Sequence, residues 1–269
     1  MSPFFGTLNA PLDACRAKAA RGKAHIEAMK AELWVWRYLQ GVPPFTTRKE
    51  FQPEENRFVF YIDTVGRLPA VWSLVIGDAL NNLRSALDHA AWYLANLKPL
   101  APKTDENAIQ FPFYSSEPTF DANVTRRLPN VDAAIVRYIK GLQPFAPDHR
   151  LQGPLAFLVE QNNLDKHREI RPVLGTPVGG TLIEAVNEAN FTVTRVEPPS
   201  GLSEFTVFDE DTELAYVFGT PTGTGEPDVD LKVKGSFAPA FQNGLPVFEG
   251  LEEIHDTVMT VLNEIEALL

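Results

Sequence analysis

Residues 77–94 read Gly77-Asp78-Ala79-Leu80-Asn81-Asn82-Leu83-Arg84-Ser85-Ala86-Leu87-Asp88-His89-Ala90-Ala91-Trp92-Tyr93-Leu94. At about 100° per residue, Leu80, Leu83, Ala86, Leu87, Ala90, Ala91 and Leu94 gather on one side of a helix, the side that must meet a core. Asp78, Asn82, Ser85 and His89 gather on the opposite side, and Asn81, Arg84 and Asp88 form an adjoining stripe. A merely solvated helix face is usually built from Lys and Glu, the long charged helix formers. Here it is built from short hydrogen-bonding residues with one Arg and one His, and Asn, Ser and Asp are mediocre in helix interiors. Two readings follow: a polar network that fixes packing against neighbouring elements, or a catalytic or ligand-binding face.

Working towards the N-terminus, Leu68-Pro69 opens this helix, and it runs to about Leu97 before Lys98-Pro99. Arg57 to Asp63 reads as a strand, with aromatic and β-branched residues in a row. An earlier helix is marked by Leu12, Cys15, Ala19, Gly22, Ile26, Met29, Leu33, Trp36 and Gln40, spaced by alternating threes and fours. Pro11 suits its start, and Gly41-Val42-Pro43-Pro44 stops it.

Towards the C-terminus, Gln110-Phe111-Pro112-Phe113 is extended, because a residue before proline avoids the helical region. Asn130 is the expected cap of a helix from Val131 to Lys140, and Gly153-Pro154 opens another that stops near Arg171-Pro172. On that helix Glu160, Asn163 and His167 share a face, whereas Lys166 and Arg168 suit the negative end of a helix dipole. Beyond it the period changes. Thr181 to Val186, Phe191 to Val196, Phe205 to Phe208, Leu214 to Phe218 and Val229 to Val233 are short strand-like runs separated by Gly, Pro and acidic turns, the pattern of an antiparallel sheet. Leu251, Ile254, Val258, Val261, Leu262, Ile265 and Leu268 then form the stripe of a final amphipathic helix. The predicted class is α+β: an N-terminal bundle of long helices (residues 1–172, with the candidate site), then an antiparallel β region and C-terminal helix (residues 173–269).

Composition narrows the chemistry. The chain has 269 residues and a net charge of −11, with 44% hydrophobic residues, which suits a packed globular protein. Residues 201–269 hold 14 acidic and 2 basic side chains, and the first 200 residues hold 21 and 22, so no basic stripe of a strong nucleic-acid binder is present. The single cysteine, Cys15, a start without signal-peptide character and the lack of a long apolar run predict a cytoplasmic protein with no membrane span. No Cys/His spacing fits zinc, no His-Glu-x-x-His occurs, and the glycines between Thr220 and Pro227 lack the Gly-Lys-Ser/Thr of a phosphate loop. No cofactor or metal is therefore expected. A metal held by Asp78, His89, Glu160 and His167 is the one geometric alternative, if their helices face each other.

The run from Gly77 to His89, with Gln110-Phe111-Pro112 and Asn163-Leu164-Asp165-Lys166-His167-Arg168, resembles a bacterial protein family of uncharacterised activity. Separately, Arg84-x-x-x-x-His89 is similar to the Arg-x4–6-His motif of the HEPN superfamily, helical proteins that include metal-independent ribonucleases, often dimeric. That resemblance implies an RNA substrate, a homodimer, His89 as general acid or base at a ribose 2′-hydroxyl or leaving oxygen, and Arg84 as the group that stabilises phosphate charge. Asp78, Asn82, Ser85, Asn163 and His167 are the candidate binding residues around that pair. Against it stand the roughly 140° between Arg84 and His89 on a straight helix and the long β addition. The alternative is a non-catalytic binding or scaffold protein whose polar helix faces are structural.

Overall fold

The computed structural model describes residues 11–40, 45–147, 150–167, 170–177, 181–199, 205–235 and 237–269. Its class is α+β, and its elements follow in the order α1 (Asp13–Gln40), β1 (Phe45–Gln52), β2 (Arg57–Val65), α2 (Val71–Ala95), α3 (Glu117–Arg127), α4 (Ala133–Gly141), α5 (Gln152–His167), β3 (Val173–Pro177), β4 (Thr181–Ala189), β5 (Phe191–Glu197), β6 (Phe205–Val207), β7 (Glu213–Pro221), β8 (Asp228–Gly235), β9 (Ala238–Ala240) and α6 (Val247–Glu266). Among the described residues no helix is long and apolar enough to cross a membrane.

The chain forms two compact units, and they differ from the expected division at 172/173. The first is drawn from Met1–Met29, Ser73–Ile170 and Phe248–Leu269, the second from Lys30–Trp72 and Arg171–Val247. The reason is that the β1–β2 hairpin, near the N-terminus, belongs with the later strands, while α6 belongs with the early helices.

In the first unit, Leu12, Cys15, Ala19, Ile26 and Met29 of the α1 seam are buried. At Gly22 of this seam α1 lies close against α2: a Cβ there would sit 3.0 Å from Leu83 Cγ and 3.1 Å from the Ala79 carbonyl oxygen. The stripe of α6 is buried from Leu251 to Ile265, and Leu268 is exposed. Arg16 donates to Asn263 and Glu266 while Lys23 donates to Glu252, so α6 runs antiparallel to α1. The cap of α4 is Asp132, whose carboxylate accepts from the Ala134 N–H at 2.7 Å. Asn130 instead takes a positive φ of 61° and donates to the Pro99 carbonyl. Helix α3 was not signalled by the sequence pattern, since Phe120 is its one buried residue.

In the second unit, β1, β2, β7 and β5 form an antiparallel four-stranded sheet in that order. One face carries Phe58, Phe60, Phe191 and Val217, which pack with Val229, Ala185 and Leu231 of the β4–β8 ladder. A second cluster, Phe45, Ile62, Leu174, Phe208, Leu214 and Phe237, joins this sheet to the small β6-β3-β9 sheet. Alternation of side chains across the pleat puts Arg48, Arg57, Tyr61, Tyr216, Phe218 and Arg195 on the opposite face.

Candidate functional site

Arg84 and Asp88 lie one turn apart on α2 and form a two-pronged ion pair, Nε to Oδ2 at 3.2 Å and Nη2 to Oδ1 at 2.9 Å. The pair also grips a backbone. Arg84 Nη2 donates to the Phe111 carbonyl oxygen at 2.7 Å, and Asp88 Oδ1 accepts from the Phe111 N–H at 3.0 Å. Together the two side chains satisfy both polar groups of one residue, as a neighbouring β-strand would. Phe111 is buried, so without them its N–H and C=O would go unpaired at a cost. The same segment is held from its other end. Gln143, fully buried, donates to the Pro112 and Ile139 carbonyls and accepts from the Tyr114 N–H. Arg127 donates to the Ala108 carbonyl, to Gln110 Oε1 and to the Tyr114 hydroxyl. The Gln-Phe-Pro-Phe run belongs to no helix or strand, and side chains from α2, α3 and the end of α4 supply bonds that a neighbouring strand would otherwise make.

The other candidates are not gathered at Arg84. Asn82 donates from Nδ2 to the Asp78 carbonyl oxygen at 2.7 Å, a bond back to the preceding turn. Ser85 is half-buried, while Asp78, Asn81 and His89 are exposed. With Leu74, 69% exposed, and Trp92, 41% exposed, they make one continuous open side of α2. On α5, Asn162 and Gln161 are buried while Asn163 and Glu160 are exposed; the side chain of His167 lies outside the described residues.

At the contact between α5 and α2 stands Asp165, whose place the helical spacing did not signal. Asp165 rests on Gly77, where an added Cβ would lie 2.5 Å from its Oδ1. Burial, and then the nearby Asp78 carboxylate, raise the pKa of Asp165 above its ordinary value of 3.8. Among the described residues no group of three or more His, Cys, Asp or Glu side chains could hold a metal ion. Cys15 is buried, which pushes its thiol up to about 11 and leaves it protonated and unreactive at neutral pH.

On the sheet, Arg48 stacks over Tyr61 at 4.1 Å, Arg57 over Tyr216 at 4.6 Å and Arg195 over Phe218 at 3.9 Å. Each guanidinium also meets a carboxylate: Arg48 with Asp211, Arg57 with Glu55 and Arg195 with Glu197. Elsewhere in the second unit, Ala31, Glu32, Val35, Trp36, Pro69 and Trp72 line an open apolar groove of about 350 Å³.

Compared with known protein families, curated proteins and solved structures, the chain matches none.

Proposed function

We propose that this chain is a non-catalytic binding protein, in which Arg84 and Asp88 are structural and the open side of α2 is the contact surface. The observation that carries this reading is the engagement of Arg84. Its guanidinium is shared between Asp88 and the Phe111 carbonyl. To reach a phosphate it would have to abandon charge-assisted bonds and strand a buried carbonyl. The electrostatics of the sheet support the same reading. Its three stacked arginines are each paired with a carboxylate, which leaves little positive field for a phosphate backbone.

A second reading keeps the HEPN-like ribonuclease, because His89 is exposed and makes no hydrogen bond among the described residues. In that reading His89 would move a proton at a ribose 2′-hydroxyl, with Arg84 released from Phe111.

One set of variants separates the two. Arg84→Ala is expected to cost about 1–3 kcal/mol, read as a drop in melting temperature of roughly 2–4 °C per kcal/mol for a chain of this size. His89→Ala, on an exposed position, should stay within about 0.5 kcal/mol of the parent. Full-length protein with EDTA should leave single-stranded and transfer RNA intact. Cleavage by the parent chain that both substitutions abolish would overturn the binding-protein reading and establish the ribonuclease.

A further inference from the structure

The open side of α2 is self-complementary. Leu74, Asp78, Asn81, Ser85, His89 and Trp92 follow one another at steps of four and three, which holds them within about 80° of arc. Large apolar side chains stand at both ends, Leu74 at 69% and Trp92 at 41% exposure, and short polar ones lie between. We propose, building on the reading of this face as a contact surface, that its occupant is a second copy of the chain. The two α2 helices pair antiparallel about a two-fold axis level with Leu83.

About that axis, positions whose numbers add up to about 166 come opposite each other. Leu74 meets Trp92 of the second copy, and Asn81 meets its Ser85. Asp78 meets its His89, so an acid faces a base twice in each dimer. The flanks agree as well as the heights. A two-fold axis of this kind brings like flanks together, and Asp78 and His89 lie on the same flank of the stripe. Asp88 lies on the other flank, already held by Arg84. Within one chain Asp78 and His89 are separated by about 16 Å of helix, so the complementarity has no use inside the monomer. Short side chains at 81 and 85 allow the axes to approach to the usual 8–10 Å. The contact is isologous, as two-fold interfaces are. It is also small: the stripe is about 27 Å long, below the reach of a standard interface. The expected dissociation constant is therefore on the order of micromolar.

Sedimentation velocity on the full chain from roughly 1 to 200 µM tests this. The parent should pass from monomer to dimer across that range. Leu74→Glu and Trp92→Glu should each weaken the dimer by about tenfold or more. Asp78→Lys sets a cation against His89, and His89→Glu sets two carboxylates together, so each weakens it too. The combination Asp78→Lys with His89→Glu restores the pairing and brings association back towards the parent. All four positions face solvent or nearly so, and matching circular-dichroism melts would confirm folding. A parent chain that stays monomeric at the highest concentration overturns the proposal. Weakening by Leu74→Glu without rescue by the double reversal overturns the antiparallel register. The RNA assay reads the function separately: a monomer that leaves RNA intact refutes the pairing alone, and a dimer that cleaves RNA refutes the binding-protein reading alone.

Discussion

At Gly77 the absent side chain is replaced by a neighbour's: the Asp165 carboxylate fills the space and sits within reach of Asp78. Because the folded state raises the Asp165 pKa above 3.8, the folded chain binds this proton more tightly than the unfolded one. The contribution is therefore most favourable at low pH and is lost as pH rises above 3.8 and through the raised value. Asp165→Asn should melt higher than the parent at pH 7, and the gap should close as pH falls towards about 4; an equal or lower melting point at pH 7 would refute the penalty that burial, and then Asp78, place on this carboxylate. This contact was not legible in the sequence. Helical spacing separates the faces of α2 and α5, but it carries no information on which glycine of one helix receives which side chain of the other. The Arg84–Asp88 pair was legible at i, i+4. Its grip on Phe111, 23 to 27 positions away, was not.

Among the elements, those with a strong period were read correctly because burial repeats with it. The α1 seam of threes and fours is buried from Leu12 to Leu33, and α6 shows the same. Strand β1 was missed because it is an edge: Thr46 to Glu50 are all exposed, so no alternation survives, and charges of this kind blunt an edge against further pairing. The short β3 and β9 carry too few residues for a period. The polar composition of α2 stands out in the sequence, but period alone could not say that the side opposite the core would be open rather than covered. The α1–α2 contact gives this scale its own test. Gly22→Val would drive methyl groups into Leu83 and the Ala79 carbonyl, and overpacking of this kind costs about 1–3 kcal/mol. Chemical denaturation should show the midpoint falling with little change in slope, and an unchanged midpoint would mean that the helices separate without penalty.

For the molecule as a whole, the two units share helices: α1 passes from one to the other after Met29, and α2 after Trp72. Helix formation is cooperative, so loss of either unit frays a helix that the other needs. The chain should therefore unfold in one step. Two probes can report it: Cys15, buried in the first unit, becomes open to alkylation only on unfolding, and three of the four tryptophans, Trp34, Trp36 and Trp72, belong to the second. Urea curves from alkylation and from fluorescence should coincide, and midpoints that differ would show that the units melt independently.

The sharing of the second unit between two distant stretches of chain has a consequence for synthesis on the ribosome. Strand β2 is complete at Val65, yet its inner neighbour β7 begins only at Glu213. At 5–20 residues per second, this leaves the Phe58 and Phe60 edge waiting roughly 8–30 s for its partner. During that interval the nascent chain offers an apolar strand with one side unpaired, which makes it a client for a holding chaperone. A ribosome stalled before β7 would release a fragment prone to aggregate.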